Sequence, residues 1–175
     1  MAEEQHSYRD SRIDDVTGVF NQEYLMERLA VEFKRARRYA EPLSCLCVDL
    51  DRFAALNERH GTEFGDQALR HVAGTLRRVV RDVDFVARAG NDEFLVVLPN
   101  TPLPGAVVVA EKAVGIIGGA PADSPEGPER LTVSVGAAPY SRLAIRSEAE
   151  LVEAARATML QAKAQGGNRV VEVPL

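Results

Sequence analysis

Leu43 to Leu50 (LSCLCVDL) constrains this chain more than any other stretch. It is apolar through Leu43, Cys45, Leu46, Cys47 and Val48, then ends abruptly in acid at Asp49, with Asp51 just beyond. A run of that length and richness reads as a buried central strand, so helical layers must cover it and the acid at its end needs a reason. The flanking sequence supplies the layers. Tyr24, Leu25, Leu29 and Phe33 recur at helical spacing and predict a helix over Gln22–Tyr39, stopped by Glu41-Pro42. Leu69, Val72, Leu76, Val79 and Val80 predict a second over Asp66–Val80, with Asp66 placed to cap it. Asp84–Arg88 and Glu93–Leu98 read as a hairpin whose tip, Ala89-Gly90-Asn91-Asp92, tolerates positive φ. A helix over Leu103–Ile117 follows, then a Gly/Pro-rich stretch, 118–129, expected to be structureless and mobile. A strand over Leu131–Ala138, an Ala-rich helix over Glu148–Gln165 ended by Gly166-Gly167, and a strand over Arg169–Val173 complete the order.

That order, α-β-α-β-β-α-β-α-β, contains a βαββαβ core. The expected fold class is α+β and ferredoxin-like, with helices on one face of an antiparallel central sheet. With 175 residues, 46% hydrophobic and 27% charged, one domain over 14–175 is expected, preceded by a polar linker or tail over 1–13. Lys+Arg 21 against Asp+Glu 26 gives −5, which offers no basic footprint for duplex nucleic acid but leaves room for a single nucleotide with its own metal ion. Cys45 and Cys47 share one strand face, where they cannot easily bond each other; a reducing, cytoplasmic setting and a core role are expected. The first fifteen residues carry no apolar core of a leader, and no run of about 18 apolar residues suggests membrane insertion. His6, His60 and His71 have no metal-ligand spacing and read as surface or helix residues.

Asp49 ends the central strand and Asp92-Glu93 leaves the hairpin tip, so neighbouring strands would bring three carboxylates to one sheet end. Converging carboxylates repel unless a cation joins them, and hard oxygen ligands suit Mg²⁺ held together with substrate phosphates. Taken singly, each acid also reads as a solvated turn residue.

Asp49-Leu50-Asp51-Arg52-Phe53, Asn57, Gly65-Asp66 and above all Arg88-Ala89-Gly90-Asn91-Asp92-Glu93-Phe94 resemble the GGDEF domains of the diguanylate cyclase family. Asp14-Asp15-Val16-Thr17-Gly18-Val19-Phe20-Asn21 is similar to that family's opening D-x-L-T-G-L-x-N. The resemblance implies two protomers that each bind GTP, with each 3′-hydroxyl attacking the other's α-phosphate to give cyclic di-GMP and pyrophosphate. It makes Asp49 and Asp92 metal carboxylates, adds the Leu50 carbonyl as a ligand, and gives Glu93 a share in metal binding or hydroxyl activation. It places Asn57 and Asp66 on the guanine edge, Phe53, Gly90 and Asn91 around the substrate, and Lys163 at the phosphates. It further implies a homodimer, at least with ligand, and an upstream sensory or receiver domain or a protein partner.

Three positions depart from the pattern. The second signature glycine is Asn91, the lysine usual after D-x-D-x-F is Ala54, and the arginine expected four residues after Lys163 is Gly167. Two of three expected phosphate cations are absent, which implies weak turnover, and Asn91→Gly, Ala54→Lys and Gly167→Arg together are expected to raise it. Arg81-Asp82-Val83-Asp84 matches the family's R-x-x-D inhibitory site, with Lys112 positioned to assist; an arginine fork suits a guanine edge or a phosphate. The first reading is therefore an impaired cyclase that receives cyclic di-GMP at Arg81 and Asp84. The alternatives are an active cyclase and an inactive dimerisation module.

Overall fold

The computed structural model describes residues 11–174. Its elements are β1 (Phe20–Asn21), α1 (Gln22–Tyr39), β2 (Leu43–Leu50), α2 (Phe53–His60), α3 (Thr62–Val79), β3 (Phe85–Arg88), β4 (Glu93–Pro99), α4 (Leu103–Gly119), β5 (Ala122–Ser124), β6 (Gly127–Glu129), β7 (Val133–Pro139), α5 (Glu148–Ala164) and β8 (Arg169–Glu172). One sheet carries six strands in the order β1-β3-β4-β2-β7-β8. Its middle is antiparallel, β2 lying between β4 and β7, while β1 and β8 join parallel to β3 and β7. The expected βαββαβ core is β2-α3-β3-β4-α4-β7, and every residue of β2 is buried.

Alternation along β2 and β4 divides the interior and corrects the expectation of helices on one face only. Leu46, Val48, Leu50, Phe94, Val96 and Leu98 pack with residues of α2, α3 and α4. Cys45, Cys47, Leu95 and Val97 pack on the opposite face with Leu25, Leu29 and Phe33 of α1 and Leu151, Ala155 and Met159 of α5. A strand apolar at both parities demands two covering layers, and the chain provides them. Cys45 and Cys47 are free and buried, as expected. Helix α5 lies unusually close to β7 because position 136 is glycine; a Cβ there would stand 2.1 Å from the Ala155 carbonyl oxygen and 2.2 Å from the Met159 nitrogen. This approach fixes the height of α5 over the sheet and hence of every side chain it sends towards the end of β2.

Other expectations change in detail. The helix expected from Asp66 begins at Thr62, so Asp66 lies inside it and caps nothing. Gly90 and Asn91 do not adopt positive φ; Arg88 holds the tip instead, donating from Nε to the Gly90 carbonyl at 3.1 Å and from Nη2 to the Asn91 carbonyl at 2.7 Å. The stretch 118–129 is not structureless: β5 and β6 pair within it. His60 is a helix residue, the second of the two readings expected for it, and it is buried at the end of α2, with Nε2 2.9 Å from Glu129 Oε2 of that small hairpin and its ring edge-on to Phe64. Ile13 bridges to Phe20 and the Arg12 carbonyl accepts from the Asn21 nitrogen, so residues 11–13 pack on β1. His6 and most of the expected tail lie outside the described residues. No helix among the described residues is long and apolar enough to cross a membrane.

Candidate active site and inhibitory site

The end of β2 gathers the predicted carboxylates. Asp49 sits opposite Glu93 in the β2–β4 register, and one step further the Leu50 nitrogen donates to the Asp92 carbonyl at 3.1 Å. By parity with Cys45 and Cys47, and with Leu95 and Val97, the Asp49 and Glu93 side chains face α5. That helix answers with two cations. Lys163 Nζ lies 2.6 Å from Asp49 Oδ1 and 3.5 Å from Asp51 Oδ1. Arg156, two turns earlier, forks onto Glu93: Nε is 3.1 Å from each carboxylate oxygen, and Nη2 is 2.6 Å from Oε1. Asp92 makes no side-chain hydrogen bond to a described residue.

Burial dominates the electrostatics of this cluster. Asp49 is pushed up to about 6, chiefly by desolvation and further by Asp92 and Glu93, against the pull of Lys163. Lys163 is raised in turn: burial pulls it down, but the bond to Asp49 and the fields of Asp49, Asp51 and Asp92 outweigh that. Asp51 is fully committed, accepting from Thr132 Oγ1 and Ser134 Oγ at 2.7 Å each and from the Asn168 nitrogen at 2.9 Å. Gly167 presses against it. A Cβ there would lie 2.9 Å from Asp51 Oδ2, and φ is +72.

Among the described residues, no three acidic, histidine or cysteine side chains are gathered closely enough to cage a metal ion by themselves. Asp49 and Asp92 nonetheless fit a smaller demand. Mg²⁺ needs only one or two protein carboxylates when phosphate oxygens and water complete its shell, and Asp49 is a buried carboxylate at a site rich in negative charge. Beside it opens a cavity of about 550 Å³ lined by Asp51, Arg52, Arg130, Thr132, Lys163 and Gly166 to Asn168. Against the one carboxylate of Asp51 the lining sets three cations, Arg52, Arg130 and Lys163, the last already paired with Asp49, so its balance leans towards an anion.

Asn57 leans on α3, its Oδ1 standing where a Cβ on Gly65 would be, 1.8 Å away; that oxygen is buried without a donor among the described residues. Asp66 lies half-buried one residue beyond Gly65. The two polar groups expected on a guanine edge thus flank one helix contact. Phe53 is buried in the core at the start of α2, so its side chain is unavailable to a substrate. Gly90 and Asn91 are exposed at the hairpin tip.

Arg81 and Asp84 meet. The Arg81 nitrogen donates to Asp84 Oδ2 at 2.7 Å, Nε to the same oxygen at 3.2 Å, and Nη2 to Asp84 Oδ1 at 2.9 Å. Nη2 also reaches the Pro99 carbonyl and Thr101 Oγ1, each at 2.8 Å. The Asp84 side chain is 1% exposed while that of Arg81 is 55% exposed, on the wall of a cleft of about 560 Å³. Lys112 does not line this cleft; it is exposed on α4, and the further cations here are Arg28 and Arg35 of α1, with Arg28 stacked 4.2 Å over Phe85.

Sequence reasoning passed over Arg156, Arg52, Arg130, Arg28 and Arg35. For Arg156 a signal existed, since seven residues before Lys163 is the same helix face. Arg52 stands inside the Asp49–Phe53 run, where the resemblance gives it no role, and Arg130, Arg28 and Arg35 are brought in by packing between distant segments.

The description "Diguanylate cyclase, GGDEF domain" matches residues 11–169. The chain is 35% identical over 168 residues to the response regulator PleD of Caulobacter vibrioides, covering 95% of this chain and 37% of that protein. To a diguanylate cyclase of Vibrio cholerae it is 34% identical over 105 residues, 60% of this chain and 33% of that one. It thus spans 37% and 33% of these curated relatives. The GGDEF domain of DgcB from Caulobacter crescentus, solved in complex with c-di-GMP, superposes with a TM-score of 0.92 over 98% of both chains at 24% identity, a likeness of fold. The GGDEF domain of TpbB (YfiN) from Pseudomonas aeruginosa gives 0.86 at 30% identity, covering 93% of this chain and 95% of that one. With its strand-end acids, its signature hairpin and nearly its whole length accounted for, the chain belongs to the diguanylate cyclase family of GGDEF domains.

Proposed function

We propose that this GGDEF signalling domain is a receptor for cyclic di-GMP, bound through Arg81 and Asp84, whose own cyclase chemistry is impaired. The observation that carries the reading is the state of Arg81. Four acceptors already fix its guanidinium, yet half of the side chain faces a cleft and Nη1 is engaged by no described residue. A donor held in place before binding loses little entropy when a guanine or phosphate arrives. Arg28 and Arg35 on the same cleft take the part first given to Lys112.

The impairment follows from Ala54, Gly167 and Asn91, and from the counterions that α5 already supplies to Asp49 and Glu93. Active cyclase is the second reading, favoured by the survival of Asp49, Asp92, Glu93 and Lys163 at one sheet end and by the donorless Asn57 oxygen. In that case Asp49, Asp92 and the Leu50 carbonyl hold Mg²⁺, which supplies charge neutralisation at the α-phosphate. Asn57 and Asp66 read the guanine, while Lys163, Arg52 and Arg130 face the phosphates.

Calorimetric titration of cyclic di-GMP decides between them, alongside GTP with Mg²⁺ and product analysis. Arg81→Ala is expected to weaken cyclic di-GMP by about 1.5–3 kcal/mol, roughly ten- to a hundredfold, and Asp92→Ala to leave it nearly unchanged. Robust synthesis of cyclic di-GMP that Asp92→Ala abolishes would favour the second reading. A folded chain that binds nothing at tens of micromolar ligand would instead be a dimerisation module.

A further inference from the structure

Arg156 enters the function proposed above only as a counterion to Glu93, and its grip on the signature hairpin goes further than that. Its Nε and Nη2 lie on both oxygens of Glu93, at 3.1, 3.1 and 2.6 Å, and its Nη1 donates to Glu153 one turn back on its own helix. The pair is sheltered, with side chains 28% and 15% exposed. A forked guanidinium–carboxylate contact is among the strongest polar interactions available to a protein, and partial burial reduces its screening by water. Glu153 on the far side and the close seat of α5 on Gly136 keep the guanidinium from swinging away.

We infer that Arg156 is a positioning residue that withholds Glu93 from the metal and substrate end of the site. The inference rests on the reading of this cluster as a cyclase centre whose activity is reduced, and it names the cause of part of that reduction. A carboxylate has two oxygens, and both of these face a cation that cannot be displaced without separating the fork. A divalent ion drawing on Glu93 would stand beside the guanidinium and be repelled by it. Glu93 is therefore spent as an ion-pair partner, and only Asp49 and Asp92 remain for a metal. Asp49 itself carries Lys163 at 2.6 Å. Helix α5 thus presents two built-in counterions, at Arg156 and Lys163, to a cluster that would otherwise require a metal. Asp92, half-buried at the hairpin, makes no ion pair with a described residue, although Lys163 feels its field.

The competing explanation is that Arg156 merely clamps α5 to β4. Mn²⁺ binding to the purified chain without nucleotide, followed by electron paramagnetic resonance, separates the two because it needs no turnover. Arg156→Met keeps the aliphatic stem over the sheet while removing the fork, and is expected to tighten Mn²⁺ by roughly ten- to a hundredfold, the scale on which residues bordering a metal site change its affinity. The gain should vanish when Glu93→Gln is added. Arg156→Lys retains the charge without the fork and should give a smaller gain; it carries the test if the Met variant does not fold. Unchanged Mn²⁺ affinity in a folded variant, or a gain that survives Glu93→Gln, overturns the inference. Cyclic di-GMP binding by the same variants is a separate readout: its loss throughout would overturn the receptor reading and leave the Mn²⁺ result standing.

Discussion

Asp49 is held by opposed forces at a position 8% exposed, where desolvation raises its carboxyl to about 6 although Lys163 lies 2.6 Å away. A carboxyl raised from 3.8 binds its proton more tightly in the folded chain than in the unfolded one. The stability this group contributes is therefore complete below about pH 4 and is lost as pH rises through about 6. Asp49→Asn should accordingly be more stable than the parent by about 1–3 kcal/mol in urea denaturation at pH 7.5 and indistinguishable at pH 4. A less stable variant at pH 7.5 would mean that the Lys163 pair outweighs burial. Gly167 bears on the proposed repair of the site. With φ +72 and Asp51 Oδ2 only 2.9 Å from any Cβ, the backbone there is built for glycine. Gly167→Arg should lower stability by about 1–3 kcal/mol in thermal melts instead of restoring a phosphate cation, while the exposed Ala54→Lys is tolerated. The gathering of Asp49, Glu93 and Lys163 at one sheet end is legible because acids at strand ends are local features and the family resemblance points to Lys163. The face Arg156 shares with Lys163 is legible, but its partner Glu93 is not, since it lies 63 residues away and the packing of α5 on the sheet brings the two together.

Two long, strongly patterned elements have the limits the sequence predicts: α1 spans Gln22–Tyr39, where Asn21 caps it and Ala40 ends it in the left-handed region, and β2 spans Leu43–Leu50; α3 and α4 are found with shifted ends. The elements that escaped were short and depend on partners. Two-residue β1 exists through its parallel pairing with β3, and β5 and β6 pair across a turn in a segment whose glycines and prolines suggested disorder. Helix α2 has eight residues, too few for periodicity to declare it. It is secured at its C-terminus, where Arg59 reaches Glu126 and Glu129 at 2.9 and 3.2 Å and His60 meets Glu129. Glu129→Ala would leave the buried His60 ring without a partner at either nitrogen, since Nδ1 already has none. A loss of about 1–3 kcal/mol is expected. Amide hydrogen exchange should accelerate over residues 122–129 and along α2, with β2 unaffected. Because α2 carries Asn57, any guanine contact made there on the active-cyclase reading should weaken together with the small hairpin; exchange confined to 122–129 would show that the latch does not reach Asn57.

The two candidate sites occupy different parts of the molecule, and their separation makes oligomeric state informative. The carboxylates, Lys163 and the cavity beside them lie at the Asp49 end of β2, whereas Arg81 lies beside Pro99, whose register partner is Leu43 at the other end of that strand. The two sites can therefore be perturbed independently. Cyclic di-GMP has two guanines and two phosphates to offer to more than one surface, and on the active-cyclase reading a single copy of this domain would hold only half of the reactants. On the receptor reading, one Arg81 cleft satisfies part of that ligand and leaves the remainder for a second protomer. Addition of cyclic di-GMP is therefore expected to move sedimentation velocity profiles from monomer towards dimer, with the midpoint following protein concentration as mass action requires. Arg81→Ala should abolish the shift, and Arg28→Ala should reduce it if α1 contributes to the same cleft. Asp92→Ala should retain it, because the carboxylate end takes no part in receiving the product. A chain that binds cyclic di-GMP with the affinity pattern expected at Arg81 yet stays monomeric at every concentration would confine the ligand to a single cleft and require a different protein to read the signal.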